Sequence, residues 1–286
     1  MKTFLDWSTD RLGRSGIRLP RLEAEVLLAG TLSLSREEIY RAPERMLSEG
    51  ERSILQTCVE RRLHREPMAY ILGHREFWSL DFKVAPSVLI PRPETETLVE
   101  SLLAMYAATS VNGPVRILDI GTGSGIIAVV TAREIHESRV TATDFSSEAL
   151  AVARENASTH GVFDQISFVK ADLFIGAPES PYDFIVSNPP YIKTGCMHDL
   201  MPDIRDFEPR TALDGGIDGL DFYRRIVPGA LNHLKTGGGL ILEIGETQAE
   251  AVSNLLHSEE GYESIKVTRD IGGYDRVVSA RKRTNG

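Results

Sequence analysis

The chain has 286 residues, 42% of them hydrophobic and 26% charged, with a formal net charge of −9. That length fits one large α/β domain plus a small accessory domain. No apolar run approaches the ~20 residues that span a bilayer, the two distant cysteines, Cys58 and Cys196, exclude a disulfide framework, and the scattered histidines lack ligand spacing, so neither a membrane nor a metal is expected.

Residues 1 to about 10 carry Asp6 and Asp10 and lack the continuous apolar core of a signal peptide, so a cytoplasmic protein is expected. Residues 1–75 hold 13 basic and 11 acidic side chains, a net of +2, which leaves −11 for the remainder. An acidic body argues against a large phosphate footprint. The mildly basic front fits a macromolecular partner or simply solvated helix faces.

Residues 1–75 read as a small helical bundle. Pro20 opens a stretch with Leu22, Val26, Leu27 and Leu28. Ser35 with Glu38, and Ser48 with Glu51, fit the capping box in which side chain and backbone at a helix start satisfy one another. Beyond Ser48, Ile54, Leu55, Cys58, Val59 and Leu63 recur at helical spacing, with Glu60, Arg61 and Arg62 facing away. Pro67 starts a short helix that Gly73 stops. Residues 76–91 read as a β-hairpin connector, built on Phe77, Trp78, Leu80, Phe82 and Val84 and then Val88 to Ile90. Pro91-Arg-Pro93 ends pairing, because proline lacks an N–H and restrains the residue before it.

Residues 92–286 alternate helix and strand. A helix over 94–107 precedes strands at 115–120, 140–144, 166–170, 184–187, 239–244, 264–268 and 276–280, with helices over 124–136, 147–159, 219–234 and 247–257. Such alternation predicts an α/β fold with a seven-stranded Rossmann-like sheet, parallel in its first part and helix-covered on both faces. The last two strands flank Ile271-Gly-Gly-Tyr and are expected to pair antiparallel at the sheet end.

Four sites carry chemistry. Gly121-Thr122-Gly123-Ser124-Gly125 follows a buried strand and Asp119. Glycines there let backbone turn sharply and approach a ligand. The third glycine of a dinucleotide fingerprint would fall at Ile126, so the loop suits a nucleoside with an amino-acid tail rather than a pyrophosphate. Asp144 ends the next strand, 19 residues after Gly125. It can accept hydrogen bonds from ribose hydroxyls or cap the following helix, but Ser146 and Ser147 already suit the cap. Asp172 and Leu173 follow the third strand, where Asp172 suits an exocyclic amino group and the Leu173 N–H a ring nitrogen; a polar loop is the plain alternative. The fourth is Asn188-Pro189-Pro190-Tyr191. Two prolines fix φ and remove donors, leaving carbonyls turned outward beside the Asn188 side-chain oxygen. Tyr191 offers a ring for stacking. Together they make an acceptor-rich slot for an NH2 group on a planar system. No carboxylate or histidine lies within this motif. The segment 197–220 reads as a mobile lid, with Gly215, Gly216 and Gly219 as hinges and Asp218 capping the next helix.

The glycine loop, Asp144 and Asn-Pro-Pro-Tyr resemble the Rossmann-like methyltransferases that alkylate nitrogen. Glu66-Pro-Met-Ala-Tyr-Ile-Leu-Gly73, Glu76-Phe-Trp-Ser-Leu80, Leu89-Ile-Pro-Arg-Pro-Glu-Thr-Glu96 and Phe207-Glu-Pro-Arg-Thr-Ala-Leu-Asp-Gly-Gly-Ile-Asp-Gly-Leu220 resemble the peptide chain release factor glutamine methyltransferases. The likeness runs from about Arg61 to the last strand; the first 60 residues match only as a helical domain. Some relatives carry an aromatic residue where Leu173 stands. The resemblance implies S-adenosylmethionine as cofactor and, as acceptor, the glutamine of the Gly-Gly-Gln loop of class 1 release factors, with no direct nucleic-acid partner. Residues 1–75 are then expected to dock that substrate, and a monomer is expected. The same slot would also serve a nucleic-acid adenine-N6 or cytosine-N4 methyltransferase, which needs a basic phosphate-tracking surface and usually a base-flipping device. A non-catalytic cofactor-binding protein is disfavoured by the intact acceptor slot.

Overall fold

The computed structural model of the protein describes residues 1–109, 113–179 and 181–284. The chain divides into two compact units, one of Met1–His74 with Met201–Phe207, the other of Arg75–Leu200 with Glu208–Gly286.

The first unit is helical: Lys2–Arg14, Pro20–Leu32, Arg36–Arg41, Glu49–Leu63 and Met68–Leu72. Both capping boxes form, Ser35 with Glu38 and Ser48 with Glu51. Pro20 takes the first helical position, where its missing N–H costs nothing. Gly73, at φ 82°, ends the last helix. Leu5, Leu12, Leu27, Leu28, Leu55 and Val59 form the core. Two expectations fail on the helix Glu49–Leu63. Ile54 is 57% exposed, whereas Arg62 is buried. The inward stripe runs Leu55, Cys58, Val59, Arg62 at i, i+3, i+4, i+7, so the arginine occupies a core position. It is held there by charge: Nε donates to Glu23 Oε2 at 2.6 Å and Nη1 to Asp203 Oδ2 at 2.7 Å. Asp203 comes from a segment 141 residues away, which no local pattern reveals.

A hairpin follows in the chain, β1 (His74–Phe77) and β2 (Leu80–Lys83). Its turn residues Trp78 and Ser79 have φ of 54° and 56°, a geometry usually given to Asn-Gly. Two carboxylates stabilise it. Glu76 accepts from the Ser79 N–H at 2.7 Å and Glu96 from the Trp78 N–H at 3.0 Å. The expected strand at Val88–Ile90 is instead an irregular segment.

The main sheet has seven strands: β3 (Val115–Ile120), β4 (Ser138–Asp144), β5 (Ile166–Lys170), β6 (Tyr182–Ser187), β7 (Leu234–Glu243), β8 (Tyr262–Arg269) and β9 (Asp275–Lys282). Their order is β5-β4-β3-β6-β7-β9-β8. The first five are parallel, and β9 lies antiparallel between β7 and β8. Alternation sends Ile117, Phe184, Val186 and Ile241 into one core, with Leu98 and Leu102 of the helix Glu96–Ala107. It sends Leu118, Ile185, Leu240 and Leu242 into the other, with Tyr223 and Ile226 of the helix Asp221–His233. Both faces are covered, so the central strands are apolar throughout.

Arg62→Ala leaves Glu23 and Asp203 without their shared cation. Breaking such a buried pairing costs about 3 kcal/mol, so urea denaturation should show the helical unit losing stability by that order; an unchanged midpoint would refute the role given to this arginine.

Candidate functional site

The parallel strands end level. Ile120 of β3 pairs with Thr143 of β4 on one side and with Ser187 of β6 on the other. Loops leaving these ends therefore meet, and a cleft of about 1040 Å³ opens above them. Strand order reverses between β3 and β6, the position where open α/β sheets hold ligands.

Gly121, Gly123 and Gly125 have φ of 72°, 55° and 83°, which L side chains adopt only with strain. Gly121, Thr122, Gly123 and Ser124 line the cleft. Gly125 does not. A Cβ there would lie 2.9 Å from Ala153 Cβ, so this glycine admits a neighbouring helix rather than a ligand. Asp119 beneath the loop is fully buried and accepts from the Thr122 hydroxyl at 2.6 Å. Its Oδ1 has no partner, and burial pushes the carboxyl up to about 7.

Asp144 lines the cleft. Its Oδ2 accepts from the Gly123 N–H at 3.0 Å and its Oδ1 from the Ser146 N–H at 2.9 Å. The helix cap is Ser146, whose hydroxyl accepts from the Ala149 N–H. The aspartate thus also ties the glycine loop down. Burial raises its pKa against those N–H bonds, which lower it. Asp172 and Leu173 line the cleft further along. Asp172 is half-exposed and paired with Arg225 at 2.7 Å. Leu173 sits in a tight turn at φ 54° and packs on the second core.

On the other flank Asn188, Pro189 and Pro190 line the cleft. Tyr191 does not. Its ring turns into a small recess with Gln248 and Arg276 and packs against the second core. Gln248 donates to the carbonyls of Tyr191 and Gly219, both at 3.1 Å, so the chain after the prolines is pulled away from the cleft. The stacking surface expected of Tyr191 is therefore not on the wall.

The segment 197–220 is not a plain loop. It contains Thr194–Asp199 in part, Pro202–Arg205 and Arg210–Ala212 as short helices, and Ile192 bridges Asp214. Gly215 and Gly219 serve close approach: a Cβ on them would lie 2.7 Å from Pro190 O and 2.4 Å from Tyr191 O. Asp218 accepts from the Leu220 N–H and pairs with Arg224, while Leu220 is the cap residue of the next helix.

Sequence reasoning missed one wall. Ser87, Val88, Leu89, Pro91, Arg92 and Thr95 all line the cleft. The segment is held by Glu208, nearly fully buried, which accepts from the Ile90 N–H at 3.1 Å and from Arg92. The Pro-Arg-Pro-Glu-Thr stretch was the available signal. Also missed were Phe145, which lines the cleft beside Asp144, and Glu243, buried beside Asn188 and Thr95.

Comparison with known proteins places the chain. Residues 3–73 match the PrmC N-terminal domain and residues 95–201 the methyltransferase small domain. A release factor glutamine methyltransferase of Geobacter sulfurreducens is 43% identical over 98% of this chain and 96% of its own. One from Koribacter versatilis is 40% identical over 100% and 99%. This chain belongs to the release factor glutamine methyltransferases. Among solved structures, a methyltransferase from Pyrococcus furiosus superposes with a TM-score of 0.53 at 21% identity, covering 79% of this chain and 98% of that one. The hMettl16 catalytic domain, solved with an RNA hairpin, gives 0.59 at 18% identity, covering 84% and 83%. Both likenesses concern the fold, and the seven-stranded Rossmann-like sheet expected of the family is the one observed.

Asp144→Ala should weaken cofactor binding by about tenfold or more, since hydrogen bonds to a charged group are worth ~1.5–3 kcal/mol each and the anchor of Gly123 goes with them. Calorimetry on the folded variant checks this; unchanged affinity would overturn the assignment.

Proposed function

We propose that the chain methylates the side-chain amide nitrogen of the glutamine in the Gly-Gly-Gln loop of class 1 release factors. The observation that carries the reading is the juxtaposition, in one cleft, of a glycine cradle with Asp144 on one flank and Asn188-Pro-Pro on the other. The cradle fits S-adenosylmethionine: Gly121 and Gly123 present backbone without Cβ atoms, with open space where those atoms would stand, and Asp144 suits a ribose diol. Phe145, Asp172 and Leu173, on the same wall of the cleft, would hold its base.

When bound, the cofactor supplies an electrophilic methyl group on a sulfonium. The residues of this chain solve the remaining problem, a poorly nucleophilic amide. The Asn188 side-chain oxygen and the Pro189 carbonyl accept the two N–H bonds of the substrate amide. They hold its nitrogen in line for displacement, an effect that lowers a barrier by several kcal/mol, and favour positive charge developing on it. With cofactor bound there, the nitrogen would gain the methyl as the carbon–sulfur bond breaks and the sulfonium becomes a neutral thioether, and the alkylated nitrogen would then release one proton to solvent. Tyr191, turned inward, supports the turn from behind.

A nucleic-acid acceptor is the weaker reading. At the cleft, Arg210 pairs with Asp214 at 2.9 Å, Arg225 with Asp172, and Arg224 with Asp218 and Asp221. These cations are already neutralised and do not form a phosphate track. Labelled cofactor offered with a release factor or with a mixed nucleic-acid pool separates the two readings; label in the nucleic acid alone would refute the protein acceptor.

Asn188→Ala should lower the single-turnover rate by roughly 10²-fold, the scale of losing one preorganised polar group, with cofactor affinity little changed. Near-normal transfer would sink the mechanism. The helical unit, in this reading, docks the protein substrate. Met46 and Ile54 are exposed on it, at 81% and 57%. Met46→Asp with Ile54→Asp should raise KM for an intact release factor by about threefold or more, because exposed apolar groups are where partners gain burial. The rate on a short glutamine peptide should stay the same. Equal KM for the intact factor would count against docking here.

A further inference from the structure

Glu243 ends β7, and the register of β6 with β7, Ser187 opposite Leu242, brings it level with the acceptor turn. The side chain is buried and is not on the cleft wall. It faces the Thr95 hydroxyl and the Asn188 amide, both of which favour its charged form. Asn188 Nδ2 also donates to Thr95 Oγ1 at 3.3 Å. The Glu243 carboxyl thus lies beside this hydroxyl–amide pair, which itself stands on the cleft wall, and Glu243 Oε2 has no hydrogen-bond partner of its own.

A primary amide has two N–H donors at one end and an acceptor oxygen at the other. An ionised carboxylate only accepts. Charged Glu243 therefore selects which end of Asn188 points down, and that end is the nitrogen. The oxygen is left for the cleft. With no carboxylate below, a half-turn of the amide would aim its N–H groups at the N–H groups of the substrate, and no bond would form.

We propose that Glu243, acting with Thr95, is a positioning residue that fixes the Asn188 amide with its oxygen toward the acceptor nitrogen. This rests on the acceptor role given to Asn188 above. Glu243 touches no reacting atom and acts through Asn188 alone.

The surroundings make this orientation depend on pH. Burial pushes the Glu243 carboxyl up to about 7, opposed by Thr95, Arg276 and Asn188 and assisted by Glu94. Tyr191 and Tyr223 also face it, and Arg92 lies beside Tyr191. Arg92 is tied to Glu208 and Arg276 to Asp270. Burial raises the pKa of both tyrosines, Tyr191 to about 12, so neither ionises near neutrality. Burial also pushes the Asp119 carboxyl up to about 7, but it lies under the glycine loop, and saturating cofactor keeps any effect on cofactor affinity out of the measured rate.

The test is the single-turnover rate on a release factor at saturating cofactor, from pH 6 to 8.5. Wild type should rise about tenfold between pH 6 and pH 8, as one ionisation near 7 requires. Glu243→Gln keeps the size but offers either end of its own amide to Asn188. It should be slower than wild type at pH 8 by about tenfold and flat across the range, with cofactor affinity within about twofold of wild type. Thr95→Ser should keep the wild-type profile, and Thr95→Val should lose rate. A flat wild-type profile overturns the proposal whether or not the variants fold, as does a rise that persists in Glu243→Gln. Asn188→Ala run alongside separates the two levels: if it transfers normally, the acceptor assignment itself has failed, and if it is inactive while Glu243→Gln matches wild type, only the positioning role has.

Discussion

The constraint on which the site depends is the reversal of strand order between β3 and β6. Helices cover both faces of the sheet, and connections leaving β3 and β6 diverge to opposite sides. The carboxyl ends of these two strands are consequently left open, level with one another. Every polar group proposed for the chemistry stands on that edge or on a segment drawn toward it: Gly121 to Ser124 after β3, Asp144 at the end of β4, Asn188 after β6, Glu243 at the end of β7. Rigid strands set the spacing, and the loops carry only the last few ångströms.

Loops alone would hold such spacing poorly, and this one is braced by backbone contact rather than by bulk. Gly215 and Gly219 let their chain lie against the carbonyls of Pro190 and Tyr191, so closely that any Cβ would collide. The Gln248 amide spans the Tyr191 and Gly219 carbonyls with its two N–H groups and accepts from Gly245 N with its oxygen at 2.9 Å. With both N–H groups and its oxygen engaged, this one side chain locks the exit of the Pro-Pro turn. Across the cleft, Glu208 does the same for the Ile90–Arg92 segment. Glycines that read in sequence as hinges prove to be points of tight packing.

What the sequence showed follows from the range of each interaction. The capping boxes, the strand-to-glycine turn and the Asn-Pro-Pro turn depend on residues within a few positions, and they stood where the pattern placed them. The seven strands were legible because buried strands are apolar throughout. The losses were long-range. Arg62 looked solvent-facing because its partner Asp203 is 141 residues on. The Ser87 to Thr95 wall was hidden because nothing near it names Glu208 as its anchor. The Trp78-Ser79 turn lacks the glycine that would have marked it, its strain being carried by Glu76 and Glu96. Glu243 was invisible for the same reason: an isolated acid at the end of an apolar strand gives no hint of the amide it will meet.

Asp119 and Glu243 show what such a site costs. Each is fully buried, each has one carboxyl oxygen without a partner, and each is pushed to about 7. A carboxyl whose folded pKa lies above its unfolded value gives stability that is present below the unfolded pKa and is lost as pH rises through the folded one. Both groups therefore withdraw stability between about pH 4 and pH 7, the opposite of the usual paired carboxylate. A fold selected for stability alone would replace them with apolar side chains of similar size. Their positions argue otherwise. One lies under the glycine loop proposed to receive the cofactor, the other beside the amide proposed to receive the substrate. The unfavourable carboxyls are confined to the open edge of the sheet, while the two apolar cores behind it supply the stability that tolerates them.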